Sequence, residues 1–153
     1  MNQDTDFLRQ AIALAYANVE RGGRPFGALI VKDGKVIAQA VNEVVGTKDP
    51  TAHAELLAIC AASRILDSAS LEGCTVYASG HPCSMCMGAM RMAGIAAVTY
   101  AYSNQDADPF GLSTAAVYAD LARPADQQAM RIRHLPLRLD GEPDLYAHWQ
   151  QHH

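Results

Sequence analysis

The chain has 153 residues, of which 50% are hydrophobic and 18% charged, enough to bury a core as one globular domain without disulfide staples. Lys and Arg number 12 against 16 Asp and Glu, and the resulting net charge of -4 argues against a surface that tracks nucleic-acid phosphates. No apolar run reaches the roughly 18 residues of a membrane span, and the first residues, with Asp4 and Asp6, show no basic-then-apolar leader, so a cytoplasmic location is expected.

Phe7, Leu8, Ala11, Ile12, Ala15 and Val19 recur at helical spacing, which predicts a first helix over 5–20 with Asp4 or Thr5 as N-cap and Gly22-Gly23 as its stop. Pro25-Phe26-Gly27 leads into a strand at 28–31, and Asp33-Gly34 signals a hairpin turn before a second strand at 36–38. Asn42, Gly46, Asp49 and Pro50 mark a loop over 42–51, followed by a helix from about His53 to Leu66. A short strand at 75–78, a helix through about Met92, a strand at 96–101, a helix at 113–122 ended by Pro124, a strand at 130–135 and a last helix at 143–151 complete the chain. Strands alternating with helices after a hairpin predict a three-layer α/β/α domain with a mixed sheet over the whole of 1–153. Arg131, Arg133 and Arg138 read as the solvated face of a strand, and Met85, Met87, Met90 and Met92 as packing around the third helix.

Four cysteines, at 60, 74, 83 and 86, favour metal ligation or burial over disulfides in a reducing compartment, with Cys60 and Cys74 as small core residues. Cys83 and Cys86 are three apart behind Pro82, so they share a face of a helix's first turn. His53 and Glu55 are two apart and can converge only where a loop enters a helix. Two helix N-termini are therefore expected to point at one spot, where their positive ends favour thiolates. One imidazole and two thiolates suit Zn2+, and three protein ligands leave a fourth position for water, as in catalytic sites. Glu55 is then free to carry a proton. Two other readings compete: a closed structural site of His53, His81, Cys83 and Cys86, and a pair of merely buried thiols with His53 as a helix cap.

His-Ala-Glu at 53–55, followed after 26 residues by Pro-Cys-x-x-Cys at 82–86, is a zinc deaminase signature. On these residues, with Gly-Arg-Pro-Phe-Gly-Ala at 23–28, Asn42, Asp-Pro-Thr at 49–51 and Met-Cys-Met-Gly-Ala at 85–89, the chain resembles the cytidine deaminase superfamily, and within it the bacterial guanine deaminases. The resemblance extends to about residue 102. It implies a five-stranded mixed sheet, zinc held by His53, Cys83 and Cys86, and Glu55 as proton shuttle. It further implies that Asn42 and the Ala54 amide bond the base and that Phe26 walls its pocket. The implied reaction is hydrolytic loss of ammonia from a free aminated heterocycle, guanine to xanthine being the first expectation, by a homodimer. Tyr146, Trp149 and the terminal histidines are candidates to cap a neighbouring site.

His81 departs from the pattern, for relatives carry Glu or Ser before Pro-Cys, and it stands as a candidate substrate contact. Ser113 and Thr114 fall where guanine deaminases carry acidic readers, with Asp106, Asp108 or Asp120 as possible replacements. The same signature serves tRNA adenosine deaminases, for which the acidic balance and the absence of a basic tail are a poor match, and cytosine-type deaminases. A non-catalytic deaminase-fold protein with structural zinc is the alternative outside enzymes.

Overall fold

The helix that opens the chain buries a stripe, Phe7, Ala11, Ala15 and Asn18, spaced so that all four side chains lie on one face. It is α1 (Gln3–Glu20) of a computed structural model that describes residues 2–153. Its cap is Asn2 rather than Asp4 or Thr5, since the Asn2 side chain accepts from the Asp4 N–H at 3.1 Å. Strands β1 (Gly27–Lys32) and β2 (Lys35–Val41) form the expected hairpin, and Asp33 and Gly34 both take positive φ, 51° and 74°, as its tight turn requires. Gly27 lies so close beneath α1 that an added Cβ would sit 2.5 Å from the Ala11 carbonyl oxygen.

The anticipated loop over 42–51 contains one helical turn, α2 (Val44–Thr47), and leads into α3 (Ala54–Leu66). Then come β3 (Cys74–Gly80), α4 (Ser84–Ala93) and β4 (Ala97–Tyr102), followed by the short α5 (Asn104–Ala107) and α6 (Ala115–Leu121). The sheet order is β2-β1-β3-β4, with β1 antiparallel to both neighbours and β3 parallel to β4. Alternation along β1 divides the layers. Leu29 and Val31 face Phe7 and Ala11 of α1, together with Tyr77, while Ala28 and Ile30 face Ala58, Ala62 and Met90 of α3 and α4. The architecture is α/β/α, with most of the core on the α3–α4 side.

Four strands form the sheet, not five. Residues 130–135 take no strand conformation, and among the described residues nothing pairs with the outer edge of β4. A strand is a pairing rather than a local preference, and alternating apolar residues such as Met130 and Ile132 become one only where a neighbouring edge receives them. Two further expectations need correction: Cys60 is exposed on α3, and Met85 and Met92 are exposed on α4, leaving Met90 as the methionine of that helix buried in the core.

The chain divides into two compact units, the first ending at Ala119 and the second comprising Asp120–His153. Within the second, the Ala129 N–H donates to Asp120 at 3.0 Å, and α7 (Leu145–Gln151) begins at Asp144, which also pairs with Arg138 at 3.6 Å. Its Leu137, Leu139, Tyr146 and Trp149 are all exposed.

Candidate active site

Two helix starts build the site. His53 is the N-cap residue of α3 and Cys83 that of α4, so both take extended backbone angles that turn their side chains across the open ends of the helices. The Cys83 sulfur accepts from the Cys86 N–H at 3.5 Å, closing the first turn of α4 and bringing the two sulfurs together. His53 Nδ1 lies 3.3 Å from Cys83 Sγ and 3.7 Å from Cys86 Sγ, and the three donor atoms all fall within 4.8 Å of one another. A tetrahedral zinc with ordinary Zn–N and Zn–S bonds sets such N···S edges at about 3.5 Å, so the donor set fits that metal in kind and in spacing.

Without a metal, the three donors share their protons unevenly. A hydrogen bond from Cys86, with His53 beside it, holds the Cys83 thiol well below its usual range, while the same Cys83 contact and burial push Cys86 up. His53 is raised by its bond to Cys83, against the opposing effect of burial. Glu55, in the first turn of α3, is 5% exposed, and burial raises its carboxyl above the usual range.

A cavity of about 320 Å³ opens on this cluster, and its wall includes Phe26, Asn42, His53, Glu55, His81 and Cys83. Asn42, 3% exposed, accepts the Val44 N–H on Oδ1 at 3.0 Å, which leaves its Nδ2 donor for the cavity. Ala54, fully buried, is the first residue of α3, where an N–H has no partner within the helix. His81 is not drawn into the donor cluster. Its ring stacks on Tyr100 with centroids 4.5 Å apart and 3° between planes, and the His81 backbone N–H donates to the Tyr102 carbonyl at 2.8 Å. Tyr118 leans on the same ring and donates to the Pro82 carbonyl.

Ser113 and Thr114 do lie on the cavity wall. Asp106 does not, being spent on a capping box with Ser103, whose backbone and hydroxyl bonds hold its carboxyl below the usual range. Glu55 is the one carboxylate on that wall among the described residues. Arg24 also lines the cavity; it falls in the Gly-Arg-Pro-Phe-Gly-Ala stretch that carries the resemblance, but the resemblance implies no role for its side chain.

The fold and these converging donors define a metal-dependent deaminase-type centre. Residues 1–102 match the cytidine and deoxycytidylate deaminase zinc-binding region, and the chain belongs to that family. The guanine deaminase of Bacillus subtilis strain 168 is 43% identical over 131 residues, which are 85% of this chain and 83% of that one. The crystal structure of guanine deaminase from Bacillus subtilis superposes with a TM-score of 0.86 at 39% identity, covering 99% of this chain and 95% of the other. A tRNA-specific adenosine deaminase of Aquifex aeolicus is 46% identical over 94 residues, 61% of this chain and 62% of that enzyme. The chain is thus a zinc-binding member of a hydrolase family acting on C–N bonds.

Proposed function

We propose that this protein hydrolyses guanine to xanthine and ammonia, with zinc held by His53, Cys83 and Cys86. The observation that carries the reading is Glu55, a buried carboxylate with a raised pKa beside a three-donor cluster that does not need it as a ligand. Zinc, when bound, supplies a nucleophilic oxygen from water at neutral pH. Glu55 would take one proton from that water and give it to a ring nitrogen, then take the second from the added hydroxyl and give it to the departing amine. Oxygen adds at the ring carbon bearing the amine, the C–N bond breaks, and ammonia leaves with the second proton while the first stays on the ring nitrogen of xanthine. The Asn42 Nδ2 and the Ala54 N–H orient the base through its acceptors, Phe26 packs on its face, and His81 completes the wall. Burial of Glu55 keeps bulk water from competing for its proton.

Zinc-loaded protein is expected to release ammonia from guanine in preference to adenine, cytosine and their nucleosides. Release from none of these substrates, nor from related triazines and pterins, overturns the enzyme reading. Glu55→Gln is expected to lower turnover by about 10²–10⁴-fold while retaining zinc. Loss of metal from that variant makes Glu55 a ligand and overturns the proton-shuttle role.

The proposal extends to the whole chain as one deaminase domain working in the cytoplasm as a homodimer. An unpaired β4 edge with exposed Tyr102, and the exposed Leu137, Leu139, Tyr146 and Trp149, support assembly with a second copy.

A further inference from the structure

Arg24 faces the same cavity as His53, Glu55 and Asn42, yet its guanidinium enters none of the ion pairs and no hydrogen bond with a protein acceptor among the described residues. Its backbone, by contrast, is tightly held. Asn18, polar and 5% exposed on the buried stripe of α1, donates from its single Nδ2 to the carbonyls of both Arg24 and Asn42, each at 2.8 Å. The Asn42 N–H in turn donates to the Phe26 carbonyl at 3.1 Å, so the segments carrying Arg24, Phe26 and Asn42 are locked together. Gly23 closes over this clamp, where an added Cβ would meet Asn18 Nδ2 at 2.5 Å.

The clamp holds together the two segments that bring Arg24 and Asn42 to one cavity wall, each with a side-chain donor that no protein acceptor takes up, while the Asn42 oxygen accepts from Val44. Glu55, the one carboxylate there, is committed to proton transfer. A wall of donors complements a substrate edge of adjacent acceptors. An arginine fork fits the carbonyl oxygen and neighbouring ring nitrogen of a 6-oxopurine in two parallel bonds, whereas a 6-amino group would turn a donor against it.

We infer that Arg24 is a specificity-determining residue that reads the carbonyl and ring-nitrogen edge of an oxopurine, and that Asn18 is the positioning residue that sets it. This rests on the guanine reading above. The test compares kcat/KM for guanine and for 2-aminopurine, which keeps the reacting amine and lacks the carbonyl, in zinc-loaded wild type, Arg24→Ala, Arg24→Lys and Asn18→Ala. Arg24→Ala should cost about tenfold to a hundredfold on guanine and only a few fold on 2-aminopurine, at unchanged zinc content. Arg24→Lys should recover part of the preference, and Asn18→Ala should lower the guanine to 2-aminopurine ratio.

Equal losses on both substrates overturn the role of Arg24. A loss confined to a phosphate-bearing nucleotide also overturns it, in favour of an anion site. A fall in stability with the ratio preserved overturns the positioning role of Asn18. Calorimetric binding of hypoxanthine and of purine separates this inference from the reaction. Hypoxanthine preference that disappears in Arg24→Ala, in a protein that does not deaminate guanine, upholds Arg24 and sinks the guanine reading. Absence of any such preference sinks Arg24 whatever the turnover.

Discussion

His81 separates the competing readings of the zinc cluster at the scale of one side chain. As a fourth ligand it would close the site, but its ring lies flat on Tyr100, and the cluster that forms is His53, Cys83 and Cys86. His81→Ala is expected to leave zinc stoichiometry unchanged by metal analysis while shifting relative kcat/KM among bases. Zinc loss would restore the closed structural site. The three-donor cluster was legible in the chain because such donors converge only at fixed offsets, Cys83 to Cys86 on one helical turn and His53 at a helix start. Arg24 was not legible in this way. Its contribution depends on where the loop is pinned by Asn18, and no sequence spacing records a bond from a helix to two loops.

At the scale of elements, Tyr77 on β3 donates to Asp4 on α1 and so fastens the helix to the sheet across the smaller half of the core. Burial and the Asp4 carboxylate push the phenol from 10.0 up to about 12. The proton is held more tightly in the folded state, so this contribution to stability is complete below about pH 10 and is lost as pH rises through about 12. Tyr77→Phe should cost about 1–2 kcal/mol at neutral pH. It should also remove part of the alkaline destabilisation measured by denaturant unfolding between pH 9 and 12; an unchanged alkaline profile would show that the link does not act this way. The Asp33-Gly34 hairpin was readable because two positive φ angles demand those residue types, and the α1 stripe because 3.6-residue periodicity is local. The segment at 130–135 has strand-like alternation and no strand, because its composition specifies a face and not a partner.

For the whole molecule, the outer edge of β4 pairs with nothing among the described residues, and the second unit buries no residue, with Leu137 and Leu139 each more than 70% exposed. Exposed apolar surface and an unpaired edge are ordinarily covered in a soluble protein. Sedimentation equilibrium is expected to return twice the chain mass at micromolar concentration, and a monomer there would overturn the proposed homodimer. No helix among the described residues is long and apolar enough to cross a membrane.

The zinc deaminase family, the donor set and the order of the elements up to β4 were determined by sequence, since each depends on residue type at short, rigid offsets. Tertiary structure alone decided that the sheet of one chain stops at four strands and that His81 rests against Tyr100 rather than joining the cluster. It also decided that Arg24 and Asn42 face one cavity through a shared bond to Asn18. These are relations between segments far apart in the chain, and they exist only once packing has brought those segments together.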